Sequence, residues 1–219
     1  MPALEYEVAN FIGAEDFPCV GAKAALSQQQ LRVSLAGDLC SSEADELLVA
    51  RLQTFAAGAP EDAVFLSLMV VFEHTPQLSE TAFEQALWAR LQALHEIDAR
   101  SYRWDTQVSS DPQAPTFSMS FGGRGFYVIG LHPGASRVAR RFTHAALVFN
   151  LHSQFEMLRQ DGRYAKLQEA ISDRDIALCG SRNPMLAAHG VTSEALQYSG
   201  RMVADDWVCP FKARREDIP

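Results

Sequence analysis

With 219 residues, 47% of them hydrophobic and 21% charged, the chain has the make-up of an ordinary globular domain and not of a disordered polymer. Its formal net charge of −8 argues against general nucleic-acid binding, which calls for clustered positive charge. The longest apolar run, 64–72, contains Ser67 and is strand-sized, and the first residues lack the basic and apolar regions of a signal peptide, so a soluble cytoplasmic protein is expected.

One domain is expected over 1–219, opening with a loose arm of about 1–15. Pro18 then leads into a helix over 20–26, and Ser41-Ser42-Glu43 caps a second helix that ends at Gly58-Ala59-Pro60. Residues 64–73 read as a buried strand. Phe83, Leu87, Leu91 and Leu94 recur at helical spacing, so 79–98 reads as a helix started by Ser79. A polar loop over 101–115 precedes two strand-like runs, 116–121 and 126–131, on either side of Gly122-Gly123-Arg124-Gly125. That glycine run lacks the Lys-Ser/Thr of a phosphate loop and reads as a hairpin turn. A strand over 146–151, a helix over about 153–173 and a tail of turns with a short helix at 193–197 complete the chain. The fold class implied is α+β: a mainly antiparallel sheet with a central hairpin, packed against several helices.

Cys19, Cys40, Cys179 and Cys209 form no CxxC pair, which removes a zinc ribbon and leaves free thiols as the expectation. Cys19 and Cys209 each adjoin a proline, and either could in principle supply a thiolate to iron. His132 stands at the end of a strand, and Arg137, Arg140 and Arg141 follow within the next nine residues. An imidazole there could hold iron, and guanidinium forks suit the carboxylates of a haem edge. The same residues could equally cap a turn and coat a solvated face. His152, at a strand-to-helix junction, is the other candidate. His74, His95, His144 and His189 are scattered, with no HxxxH or HxxH pair. A guanidine ligand would need carboxylates and aromatic walls. Glu73, Glu156 and Glu194 are candidates for the first, and Trp88, Trp104 and Trp207 for the second.

Several segments, taken in order, carry a family likeness. They are Phe17-Pro18-Cys19-Val20-Gly21, Leu131-His132-Pro133 with the arginines after it, and Phe149-Asn150-Leu151-His152-Ser153-Gln154-Phe155-Glu156. Gly180-Ser181-Arg182-Asn183-Pro184-Met185-Leu186, Gln197-Tyr198-Ser199-Gly200-Arg201 and Trp207-Val208-Cys209-Pro210-Phe211 complete the set. The set resembles the YqcI/YcgG family, and within it the haem-dependent guanidine N-hydroxylases. Leu151, where the likeness leads one to expect proline, and Arg182, where it leads one to expect an aliphatic residue, depart from the pattern.

The resemblance implies binding of haem b and oxidative N-hydroxylation of a guanidine-containing small molecule, arginine or a derivative, with an electron donor or peroxide as second reactant. His132 is the favoured metal ligand and His152 the alternative. Arg137, Arg140 and Arg141 would bind propionates, and Glu73 and Glu156 would anchor the guanidine. A non-catalytic haem sensor and a cofactor-free binding module are the competing readings, and a homodimer is compatible with each.

Overall fold

The computed structural model describes residues 2–181, 183 and 192–214. Runs of β-branched and aromatic residues form five strands: β1 (Leu31–Ala36), β2 (Ser67–Phe72), β3 (Met119–Phe121), β4 (Arg124–Leu131) and β5 (Ala145–Leu151). They make one sheet in the order β1-β2-β5-β4-β3. β1 pairs with β2 in parallel, while β2–β5, β5–β4 and β4–β3 are antiparallel. The sheet is therefore mixed, which corrects the expectation of a mainly antiparallel one. The cause is β1, which the sequence reading leaves out. Helix α3 (Asp45–Gly58) carries the chain from the end of β1 back to the start of β2, and such a crossover gives parallel neighbours. The β3–β4 hairpin is also at the edge of the sheet, not its centre; β5 is the middle strand.

The first residues are not a loose arm. They form α1 (Pro2–Gly13), whose Leu4, Val8 and Ile12 are buried at helical spacing. Helix α2 (Val20–Ser27) follows. The Ser41–Glu43 cap is also displaced: α3 starts after Ala44 with no side-chain cap, and Ser41 Oγ accepts from the Glu43 N–H instead. Helix α4 (Glu80–Asp98) starts as expected, with Ser79 Oγ accepting the Ala82 N–H at 3.2 Å. The helix expected over 153–173 is two helices, α5 (His152–Gln160) and α6 (Tyr164–Cys179). Gly162 breaks them with φ of 68°. Short 3₁₀ turns lie at Val138–Arg140 and Glu194–Gln197.

Both faces of the sheet are covered, and strand alternation divides them. Leu68, Val70 and Phe72 of β2, Phe126 and Val128 of β4, and Leu147 and Phe149 of β5 pack in one core with Leu52 of α3 and Phe83, Leu87 and Leu91 of α4. Met69, Val71, Leu131 and Ala146 belong to the other, with α1 and Phe17. The hairpin turn is pinned from below, since both Asp98 carboxylate oxygens accept the Gly122 N–H, at 3.0 and 3.2 Å.

Gly130 of β4 lies against the first core. A Cβ there would come within 2.7 Å of Phe83, 2.8 Å of Leu87 and 2.9 Å of the Tyr198 carbonyl. Gly130→Ala therefore overpacks this face, and urea unfolding should show a loss of about 1–3 kcal/mol.

Candidate functional site

The second face of the sheet is only partly covered by α1 and α2. Beside them, under α5 and α6, it floors a mostly apolar cavity of about 280 Å³. That volume falls just below the usual range of small-molecule and cofactor sites, roughly 300–1,000 Å³. Register builds the floor. Ser67 pairs with Asn150 and Asn150 with Tyr127, while Met69, Val148 and Ile129 form the next row. Ser67 Oγ donates to Asn150 Oδ1 at 2.6 Å. Tyr127 donates its hydroxyl to Gln197 Oε1 at 3.1 Å and meets the Phe155 ring edge-on at 5.9 Å.

Cys19 stands on the cavity wall as the N-cap of α2. Its Sγ accepts the Ala22 N–H at 3.4 Å. Burial raises this thiol above its ordinary value, and the Ala22 and Gly21 N–H groups and the Arg140 charge oppose that rise. The linker before it is clamped through its main chain. Lys23 Nζ donates to the carbonyls of Ala14 (2.5 Å) and Glu15 (3.1 Å), and Arg174 of α6 donates to those of Glu15 and Phe17. Cys209 is different in kind. It sits in the first core, where burial pushes its thiol up to about 12.

The arginine cluster divides. Arg137 reaches the cavity but is held by Asp175 (2.5 Å) and the Ser181 carbonyl (2.9 Å). Arg140 also lines it, with its guanidinium against the carbonyls of Gly130, Gln197 and Tyr198. Arg141 does not line it. Its Nε and Nη2 tie back to the Ala135 and Ser136 carbonyls at 2.6 and 2.9 Å.

Neither candidate histidine lines the cavity. His132 is one residue past Leu131, so it faces the opposite way and stacks on Phe83 at 4.2 Å in the first core. Its Nδ1 is buried without a partner. His152 has both nitrogens engaged. The carboxylate of Glu156 can only accept, so Nε2–H donates to it (3.2 Å) and Nδ1 accepts from Ser118 Oγ–H (2.9 Å). Burial depresses both imidazoles.

Glu73 is exposed beside His74, and Glu156 is spent on His152 and Arg159, so two of the three carboxylates singled out in the sequence do not reach the cavity. Glu194 and Asp175 do. Trp88 and Trp104 lie in the first core and Trp207 packs against it; the aromatic walls are Phe11, Phe17, Phe65, Tyr127, Phe155 and Tyr164 instead. Sequence reasoning also missed Asn150 and Gln154. Strand parity was the signal available for Asn150, two residues from Val148 on the same face. Among the described residues no three of His, Cys, Asp and Glu converge as a metal cluster.

A model of the YqcI/YcgG family matches residues 8–212 of this sequence. The chain belongs to that family. It is 26% identical to the uncharacterized protein YcgG of Bacillus subtilis (strain 168) over 150 residues, 66% of this chain and 58% of that one. It is likewise 26% identical to the uncharacterized protein YqcI of the same strain over 156 residues, 68% of this chain and 60% of that one. The matched stretch thus spans about three fifths of each relative. No solved structure matches. Of the family-like segments, Phe17–Cys19 with Gly21, Leu131 with Arg137 and Arg140, Asn150 with Gln154 and Phe155, Asn183, and Gln197 line the cavity. Leu151, the departure from proline, ends β5, whereas Arg182, Pro184, Met185, Leu186 and His189 lie outside the described residues.

Two predictions follow from these side chains. Iodoacetamide should label exposed Cys40 first and Cys19 more slowly, at a rate still rising above pH 9, with Cys209 reacting only on unfolding; peptide mass mapping reads the order. His132 and His152 titrate lower in the folded than in the unfolded chain. The unfolded chain therefore binds more protons below about pH 6.5, and stability falls there as pH falls, by at most about 1.4 kcal/mol per pH unit for each histidine. Urea titrations between pH 7.5 and 5.5 should show the decline, and His132→Phe should make it shallower.

Proposed function

We propose that this YqcI/YcgG protein is a haem-dependent N-hydroxylase of a guanidine-containing small molecule, arginine or a derivative, and that Cys19, not His132 or His152, is its iron ligand. The observation that carries the reading is a thiol on the wall of a mostly apolar cavity, at the N-terminus of a helix. Helix N-termini favour thiolates, thiolate is an established haem ligand, and an apolar wall suits a macrocycle. The resemblance to the haem-dependent guanidine N-hydroxylases supports the same reading. Haem held there would supply the oxidative chemistry, with an electron donor or a peroxide as second reactant.

The chain's own residues would do the rest. Coordination needs the thiolate, so Cys19 Sγ must give up the proton that burial holds on it. The Ala22 N–H and the Arg140 charge favour that loss. The clamped linker fixes where the sulfur stands. Glu194, a carboxylate on the cavity wall, would pair with the guanidine, with Tyr127 and Phe155 supplying aromatic wall. The apolar floor of Met69, Val148 and Ile129 would exclude water from the reacting nitrogen. The reading keeps a cytoplasmic setting and allows a homodimer. Among the described residues no helix is long and apolar enough to cross a membrane.

A cofactor-free small-molecule binding module is the second reading, favoured by the protonated state that burial imposes on Cys19. The absorption spectrum of protein produced with ample haem precursor separates the two. A stoichiometric Soret band with the red-shifted ferrous–carbonyl form of a thiolate haem is expected, lost in Cys19→Ser and retained in His132→Ala. A shift on adding arginine, and a hydroxyguanidine product, would complete the case. Glu194→Gln should lower kcat/KM for the guanidine roughly 10- to 100-fold with the spectrum unchanged. Absence of any Soret band after haem titration would overturn the haem reading.

A further inference from the structure

The arginines on the cavity wall are not partnered alike. Arg137 pairs with Asp175, and Arg159 pairs with Glu156 at 2.5 Å and lies 4.0 Å from Glu194. Arg140 has no ion pair among the described residues. Its three hydrogen bonds run to main-chain carbonyls: Gly130 O at 3.0 Å and Tyr198 O at 3.5 Å from Nη1, and Gln197 O at 3.1 Å from Nη2. A guanidinium carries five N–H donors, so Nε–H and one Nη2 hydrogen stay uncommitted, and those two nitrogens form one edge of the fork. Carbonyl dipoles fix the direction of the fork but do not neutralise it. A partly buried cation on an apolar cavity wall is costly to leave without a counter-charge.

The chain has also made room for this side chain. Gly200 takes φ of 79°, and a Cβ on it would lie 3.3 Å from Arg140 Cγ and 3.5 Å from Nη1. The turn after Tyr198 therefore closes around the arginine while leaving it on the cavity wall.

We infer that Arg140 is the carboxylate anchor of the cavity: the ligand that fills it carries a carboxylate, which pairs with the uncommitted edge of this guanidinium, and Arg137 and Arg141 do not share the task. This rests on the cavity being the ligand site proposed above, but not on haem being the ligand. The carboxylate could be a porphyrin propionate or that of a free amino acid, and the two sources are separable.

Wild-type protein should be titrated with haemin and haemin dimethyl ester, and, by calorimetry, with L-arginine and its decarboxylated counterpart agmatine. Loss of the carboxylate should weaken binding about tenfold or more in at least one pair. A preference for haemin over its ester assigns Arg140 to a propionate. A preference for arginine over agmatine assigns it to the substrate, and that result without any Soret band would leave the carboxylate inference standing while the haem reading falls. Arg140→Gln should abolish the preference and Arg140→Lys should keep part of it, with thermal unfolding as the control for folding. Should Arg140→Gln not fold, the wild-type ligand pairs alone decide. No preference in either pair, or no binding of any of the four probes, overturns the inference. A preference that survives in folded Arg140→Gln overturns it too.

Discussion

The pleat of the sheet is the constraint on which the rest depends. Successive side chains of a strand face opposite ways, and here the two directions meet different surroundings. One direction ends in a dense aromatic core under α3 and α4; the other ends partly in α1 and α2 and partly in open space. A residue's parity therefore decides whether it is packing or lining. Tyr127 and Ile129 line the cavity while Phe126 and Val128 between and before them are core. His132 is the costliest case. It stands beside Leu131, a cavity residue, yet its ring is stacked on Phe83 in the first core. Sequence proximity to a site is thus no guide to membership across a strand.

The charged groups show a second kind of organisation. Cations near the cavity are held largely by backbone carbonyls: Arg140 by Gly130, Gln197 and Tyr198, Arg174 by Glu15 and Phe17, Lys23 by Ala14 and Glu15. Such contacts orient a cation without cancelling its charge. They join loops that have little regular structure, and so do what strand pairing does elsewhere in the fold. Tyr198 adds to this from the other side. Its carbonyl accepts the Gly130 N–H at 2.7 Å beside β4, where the short β3 has already ended.

Much of the fold was legible. The strong periodicities of α4, the uninterrupted apolar run of β2 and the glycine turn between β3 and β4 all follow from local chemistry. What was not legible depended on tertiary partners. In β1, Arg32 and Ser34 alternate with apolar residues in a segment too short and too polar to stand out, and its parallel partner is 36 residues away, Leu31 against Ser67. The first residues have an apolar stripe only weakly expressed beside Glu5, Tyr6 and Glu7, and they become helix by docking on the sheet. For the site, Arg137, Arg140 and the 17–19 segment were singled out, and all three line the cavity. The roles were not legible. The sequence cannot show that Asp175 occupies Arg137, or that Ser118 and Glu156 occupy both nitrogens of His152. Tryptophans attracted attention as walls for the same reason that they serve as core: they are large and apolar.

Arg174 and Asp175 are consecutive residues of α6, and they grip different parts of the molecule. Arg174 holds the carbonyls of the linker that ends in Cys19, and Asp175 holds Arg137, three residues before Arg140. One step of a single helix is therefore the common fulcrum for the thiol and for the arginine loop. Any tilt or slide of α6 about the Gly162 break moves both together, so the distance across the cavity is less adjustable than either loop would be alone.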